Sequence, residues 1–150
     1  MRLLKNMIAI IVVAAAAGLA INLVHPRGFA PVSRQDLALK RLVSISTAEA
    51  KIKYDAGMAL FIDARSKPEF DSARIAGAEN IPADDPPAGA IEAVMARPRE
   101  LVIYCDGASC GASAGLARAM IDRGYGRTIY VIEEGFPGWE ERGYPVERSE

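Results

Sequence analysis

The stretch LVIYCDGASCGASAGLARAMIDR, residues 101–123, decides the fold. Leu101 to Tyr104 is a compact apolar run that reads as a short buried strand. It delivers Cys105 into a loop of small residues, Asp106, Gly107, Ala108, Ser109, Cys110, Gly111 and Ala112. An amphipathic helix follows to about Arg123, with Leu116 and Met120 facing the core and Gly124 as its cap. A cysteine at the end of such a strand faces loop amides and the positive end of a helix dipole, so its thiolate is expected to be favoured. The same amides, from Asp106 to Ala112, would cradle an oxyanion.

Upstream, Ser46 followed three residues later by Glu49 has the form of a capping box and opens a helix over about 47–56 that Gly57 ends. Ala59 to Asp63 (ALFID) is a second apolar run, ending in an acid, the mark of a buried parallel strand that brings a polar group to its carboxyl end. Strand ends of this kind line the sites of open α/β sheets. Residues 64–82 are turn-rich, with a short helix at Pro68–Asp71. ADDPPAGA, residues 83–90, is a surface loop, and Ile91 to Ala96 reads as one or two helical turns. Downstream, Arg127 to Ile132 (RTIYVI) is a further strand. Gly135 to Arg142 is a last helix carrying Trp139, closed by Gly143 and Pro145. Strands alternating with helices predict an α/β fold, a small parallel sheet with helices on both faces.

At 150 residues and 51% apolar content, the chain is long enough for one sizeable core and too short for two ordinary domains. A formal net charge of −1 implies no basic surface for nucleic acid. Its two cysteines are Cys105 and Cys110, and its one histidine, His25, stands far from them, so neither a zinc site nor a Cys/His nucleophile pair is expected.

The N-terminus carries a second kind of signal. Arg2 and Lys5 precede Met7 to Val24, an apolar stretch interrupted only by Gly18 and Asn22. As a helix it would span roughly 27 Å, close to a bilayer's hydrocarbon thickness. Residues 7–24 can therefore hold the chain in a membrane. A cleaved signal peptide competes, since Ala15 to Ala20 offers small residues to a peptidase, and cleavage near residue 20 would make the product secreted or periplasmic. Apolar character continuing through Ile21, Leu23 and Val24 favours a retained anchor. Arg2, Lys5 and the amino terminus argue for a cytoplasmic start and hence a soluble part on the periplasmic side, against Arg27, Arg34, Lys40 and Arg41 on the other flank. The chain thus divides into an anchor or signal segment (1–24), a linker (25–44) and the α/β domain (45–150).

DARSKPEFDSARIAGAENIP, from Asp63 to Pro82, resembles the signature of single-domain rhodaneses: Asp-x-Arg, an aromatic five residues on, then basic-Ile-x-Gly-Ala-x-Asn-Ile-Pro. YVIEEGFPGWEERGYPV, from Tyr130 to Val146, is similar to the family's Gly-Gly-aliphatic-x-x-Trp ending. Cys105 falls where the family's catalytic cysteine sits. Two positions depart: Glu134 stands where the first of two glycines is usual, and Cys110 where Arg is frequent. A branch of the family does carry a Cys-x-x-x-x-Cys-x-x-Ser loop like Cys105 to Ser113.

The resemblance implies a sulfurtransferase without metal or cofactor. Cys105 takes a sulfane sulfur from thiosulfate or a persulfide donor and passes it to cyanide or a thiol. Residues 106–112 bind the donor anion, and Asp63, Arg65 and Arg74 support the loop. With no cation in the loop and Asp106 beside Cys105, thiosulfate chemistry is expected to be slower than in an Arg-containing loop. Cys110 reads equally as a small structural residue, a resolving thiol or a second sulfur acceptor. Two other functions stay open: a dithiol/disulfide redox protein using Cys105 and Cys110, and a non-catalytic docking module. Anion-loop phosphatases are disfavoured, because they need Arg six residues after the nucleophile and Gly111 stands there.

Overall fold

The computed structural model describes residues 2–24 and 41–149. They belong to two units, an N-terminal helix and an α/β domain. The helix, α1, runs Arg2–Val24. Arg2–Ile21 is long and apolar enough to cross a membrane, with none of it buried, which suits an anchor or a signal sequence alike. The linker expected at 25–44 lies outside the described residues up to Lys40, as do His25, Arg27, Arg34 and Lys40.

The domain begins with β1 (Leu42–Ile45) and α2 (Thr47–Asp55). Next come β2 (Ala59–Asp63), α3 (Lys67–Ser72), β3 (Ala73–Ile75) and β4 (Glu79–Asn80). Then follow α4 (Ala90–Met95), β5 (Glu100–Tyr104), α5 (Ala112–Asp122), β6 (Ile129–Ile132), α6 (Gly135–Glu141) and β7 (Val146–Arg148). Five strands form one parallel sheet in the order β1-β6-β5-β2-β4, with β5 in the middle. β3 and β7 form a separate antiparallel pair.

Alternation along the central strands builds two cores, one on each face of the sheet. Leu60, Ile62, Leu101, Ile103, Cys105, Ile129 and Val131 pack with Ile91 and Val94 of α4 and Leu116, Ala117 and Met120 of α5. Phe61, Val102, Tyr104 and Ile132 face the other way, onto Ala50 of α2 and Phe136 and Trp139 of α6. Trp139 is fully buried; its ring lies 5.3 Å from that of Tyr54 and 5.1 Å from that of Tyr144, and its indole N–H donates to Pro145 O at 2.9 Å. Buried on both faces, β2 and β5 are continuous apolar runs rather than alternating ones, which is why they stand out in the sequence.

Local chemistry fixes the element ends. Ser46 and Glu49 close the capping box on α2, with the Glu49 carboxylate accepting from the Ser46 N–H at 2.8 Å. Gly57, at φ +67°, follows its end. Three expectations shift. β1 takes in Leu42, Val43 and Ser44 from the expected linker; its burial pattern carries no period, and it becomes a strand by pairing with β6. The β3–β7 pair draws on residues read as turn and tail. The strand expected from Arg127 begins at Ile129.

Candidate active site

Because the sheet strands are parallel, the carboxyl ends of β1, β6, β5 and β2 share one edge. Cys105 lies one residue beyond β5 at the centre of that edge. Alternation sends its side chain to the α5 face, where it is 1% exposed. Its Sγ stands 3.3 Å from the Ser113 hydroxyl, 3.4 Å from the Cys110 carbonyl oxygen and 4.0 Å from that of Gly107.

The neighbouring β6–α6 turn is the wall behind the loop. The Phe136 N–H donates to the Cys105 carbonyl at 2.7 Å. Gly135 sits at φ +61°, and a Cβ there would come within 2.2 Å of the Cys105 carbonyl oxygen and 2.3 Å of the Gly107 nitrogen. Only glycine lets the two segments meet so closely. Glu134, in place of the family's other glycine, has ordinary helical angles (φ −77°, ψ −8°), so no glycine is needed there. Its carboxylate accepts from the Thr47 N–H at 2.8 Å and the Thr47 hydroxyl at 2.9 Å, tying the turn to the start of α2.

Residues 106–111 turn back over Cys105. The Cys110 N–H donates to the Gly107 carbonyl at 2.9 Å, so that amide leaves the expected cradle. Among the described residues, the N–H groups of Asp106, Gly107, Ala108, Ser109 and Gly111 meet no protein acceptor. Ala112 opens α5, with Gly111 at its cap. Ala108 and Ser109 are exposed, while Gly107, Cys110 and Ala112 are half-buried.

The expected supports divide into two groups. Asp63, fully buried at the end of β2, accepts from the Arg65 N–H at 2.9 Å and from its guanidinium at 2.7 and 3.0 Å. The same guanidinium donates to the Ala73 carbonyl at 2.7 Å, lies 4.3 Å from the Phe136 ring, and reaches Asp106 at 3.7 Å. Asn80 donates to the carbonyls of Asp63 and Arg65 at 3.1 and 3.0 Å. Arg74 instead serves the β3–β7 pair, bound to Glu147 at 3.0 Å and 4.9 Å from the Phe70 ring.

The electrostatics of the thiol run against the expectation of a favoured thiolate. Burial pushes the Cys105 thiol above its ordinary range, and Cys110 adds to the push; the Ser113 hydroxyl and N–H act in the opposite direction without prevailing. The resting sulfur is in apolar surroundings beside carbonyl oxygens, which stabilise S–H rather than S⁻. Burial also raises the Asp106 carboxyl, with Glu69 reinforcing it and Arg65 opposing.

A family model described as the rhodanese-like domain matches residues 46–142. The chain belongs to the rhodanese-like domain family. An HTH-type transcriptional regulator of Mycobacterium tuberculosis is 31% identical over 106 residues, 71% of this chain, which spans 45% of that protein's length. Among solved structures, a thiosulfate sulfurtransferase from Pseudomonas aeruginosa superposes with a TM-score of 0.58 at 18% identity, over 78% of this chain and 22% of that one. A protein of unknown function from Rhodopseudomonas palustris, described as a possible tyrosine phosphatase, gives 0.59 at 21% identity, over 82% and 99%. At these identities the structural likeness is one of fold.

Within this rhodanese-like domain, three features escape a reading of the loop alone. Ser113 sits on the first turn of α5, and the Cys-to-Ser spacing is its signal. Gly135 forms the wall, marked in sequence by the GFPGW segment. Arg65 brings a cation beside the loop from β2, a placement visible only once β2 and β5 are paired.

Proposed function

We propose that the domain is a sulfurtransferase that carries sulfane sulfur on Cys105. The observation behind this reading is a thiol at the centre of the carboxyl edge beneath a loop of unengaged amides, with the Ser113 hydroxyl 3.3 Å from the sulfur. The Cys105 thiolate attacks the outer sulfur of thiosulfate, a new S–S bond forms, and sulfite departs with the electron pair. A thiophilic acceptor, cyanide or a thiol, then takes the outer sulfur and regenerates the thiolate. Amides of residues 106–109 and 111 would hold the anion, as oxyanion sites do. A persulfide donor would serve equally. The N-terminal helix would tether the domain to a membrane on its periplasmic side, or direct its export if cleaved. The test is thiocyanate formation from thiosulfate and cyanide, present in the wild type and abolished by Cys105→Ser.

Because the thiol rests above its ordinary range, turnover with thiosulfate should rise about tenfold per pH unit, through and beyond about pH 8.5, the usual cysteine midpoint. A plateau already reached below pH 8 would contradict a buried, protonated resting thiol. Cys110→Arg should raise thiosulfate turnover by about tenfold, about 1.4 kcal/mol of barrier, because a guanidinium would add charge-assisted bonds to the donor. No gain would mean that the missing loop cation does not limit the reaction.

One observation favours a second reading, a docking module: Cys105 is nearly inaccessible at rest. A regulator among the relatives points the same way. Failure of both the wild type and Cys110→Arg to consume thiosulfate would decide for it. A phosphatase finds no support in the loop, where Gly111 occupies the position that needs Arg.

A further inference from the structure

We infer that Cys110 is a second sulfur carrier, which takes the sulfane sulfur from Cys105 and presents it to thiols borne on other proteins, while cyanide takes it from Cys105 directly; this step rests on the sulfur-transfer reading above. Access is the first reason. Cys105 is 1% exposed, enclosed by two loop carbonyls, the Ser113 hydroxyl and the core of α5. A small anion suits such a place, but a thiol borne on another protein does not. Cys110 is half-buried, packs against the same apolar cluster, and stands nearer the surface on the same loop.

Loop geometry is the second reason. The turn closed by the Cys110 N–H on the Gly107 carbonyl folds the chain back, so that the Cys110 carbonyl oxygen lies 3.4 Å from the Cys105 sulfur. A persulfide lengthens Cys105 by one S–S bond, about 2.0 Å. From a sulfur already 3.4 Å from the Cys110 carbonyl oxygen, that added length is comparable with the gap to residue 110. The side chains already sense each other, since Cys110 is among the groups that raise the Cys105 thiol.

The step balances within the loop. The Cys110 sulfur attacks the outer sulfur of the Cys105 persulfide, and a Cys110–sulfur bond forms as the bond to Cys105 breaks. The electron pair of the broken bond stays on Cys105 and takes up the proton that Cys110 releases. One thiol and one persulfide become one persulfide and one thiol, with no oxidant or reductant consumed.

The test uses the full chain in detergent, loaded with thiosulfate labelled in its outer sulfur. Persulfides are then trapped by alkylation and located by fragmenting the peptide that spans residues 100–118. The wild type should show label on both Cys105 and Cys110, Cys110→Ser on Cys105 alone, and Cys105→Ser on neither. Label confined to Cys105 in the wild type would overturn the relay and leave the sulfur-transfer reading standing. Direct labelling of Cys110 in Cys105→Ser would also overturn it, as would a Cys105–Cys110 disulfide formed with release of hydrosulfide. Absence of label from both cysteines of the folded wild type would overturn the sulfur-transfer reading and the relay together.

Discussion

Asp63→Ala should destabilise the domain by about 3–5 kcal/mol, the cost of leaving a buried charge without its partner. Asp63 is fully buried and accepts from the Arg65 backbone N–H and from two guanidinium nitrogens, Nε and Nη2; Arg65 is itself 7% exposed. Without the carboxylate, the guanidinium keeps the Ala73 carbonyl and a longer ion pair to the half-exposed Asp106 at 3.7 Å, a weaker counter-charge than the buried carboxylate at 2.7 Å. Set against a total stability of about 5–15 kcal/mol, the loss should lower the melting temperature by more than about 10 °C. Thermal unfolding of the full chain, followed by circular dichroism, measures it. Removing the stranded cation as well, in Asp63→Ala/Arg65→Met, should recover part of the loss. Recovery stays partial because the Arg65 N–H still lacks its acceptor. A shift of only a few degrees for Asp63→Ala would show that water or Asp106 replaces the carboxylate.

Gly135→Ala should cost about 2–5 kcal/mol and remove sulfur transfer with it, since strain and overpacking add at this position. An alanine at φ +61° carries roughly 1–2 kcal/mol of left-handed strain. Its Cβ would also lie 2.2 Å from the Cys105 carbonyl oxygen and 2.3 Å from the Gly107 nitrogen. These are backbone atoms of the loop, so relief requires moving the loop that holds Cys105, at an overpacking cost of about 1–3 kcal/mol. Gly143 is the internal control: it has nearly the same angle, φ +67°, but a Cβ added there would meet nothing within 4 Å. Gly143→Ala should therefore cost only the strain and keep thiosulfate turnover. Equal losses in the two variants, by unfolding and by turnover, would contradict the wall assigned to Gly135.

What the sequence discloses follows from where each piece of information resides. β2 and β5 are readable because strands covered on both faces are apolar throughout, and α2 because Ser46 and Glu49 cap it within a single turn. Cys105, its loop and α5 follow from one continuous stretch. β1 is not readable: Val43 and Ser44 are exposed, and the strand exists through its ladder to β6. The β3–β7 pair likewise joins segments distant in the chain. In the site, the Asp63–Arg65 contact is local and its motif announces it, whereas the approach of Arg65 to Asp106 depends on the pairing of β2 with β5. The protonation state of Cys105 is hidden for the same reason. Strand, loop and helix dipole all argue for a thiolate, but burial of the side chain against α5 outweighs them, and burial is set by the whole sheet.

The central claim is that Cys105 accepts sulfane sulfur, and intact-protein mass spectrometry after brief incubation with thiosulfate tests it most directly. The expected result is a mass increase of one sulfur atom in the wild type, reversed by cyanide and absent in Cys105→Ser. An unchanged mass in folded protein at alkaline pH, where the thiolate is populated, or an increase that survives Cys105→Ser, would contradict it.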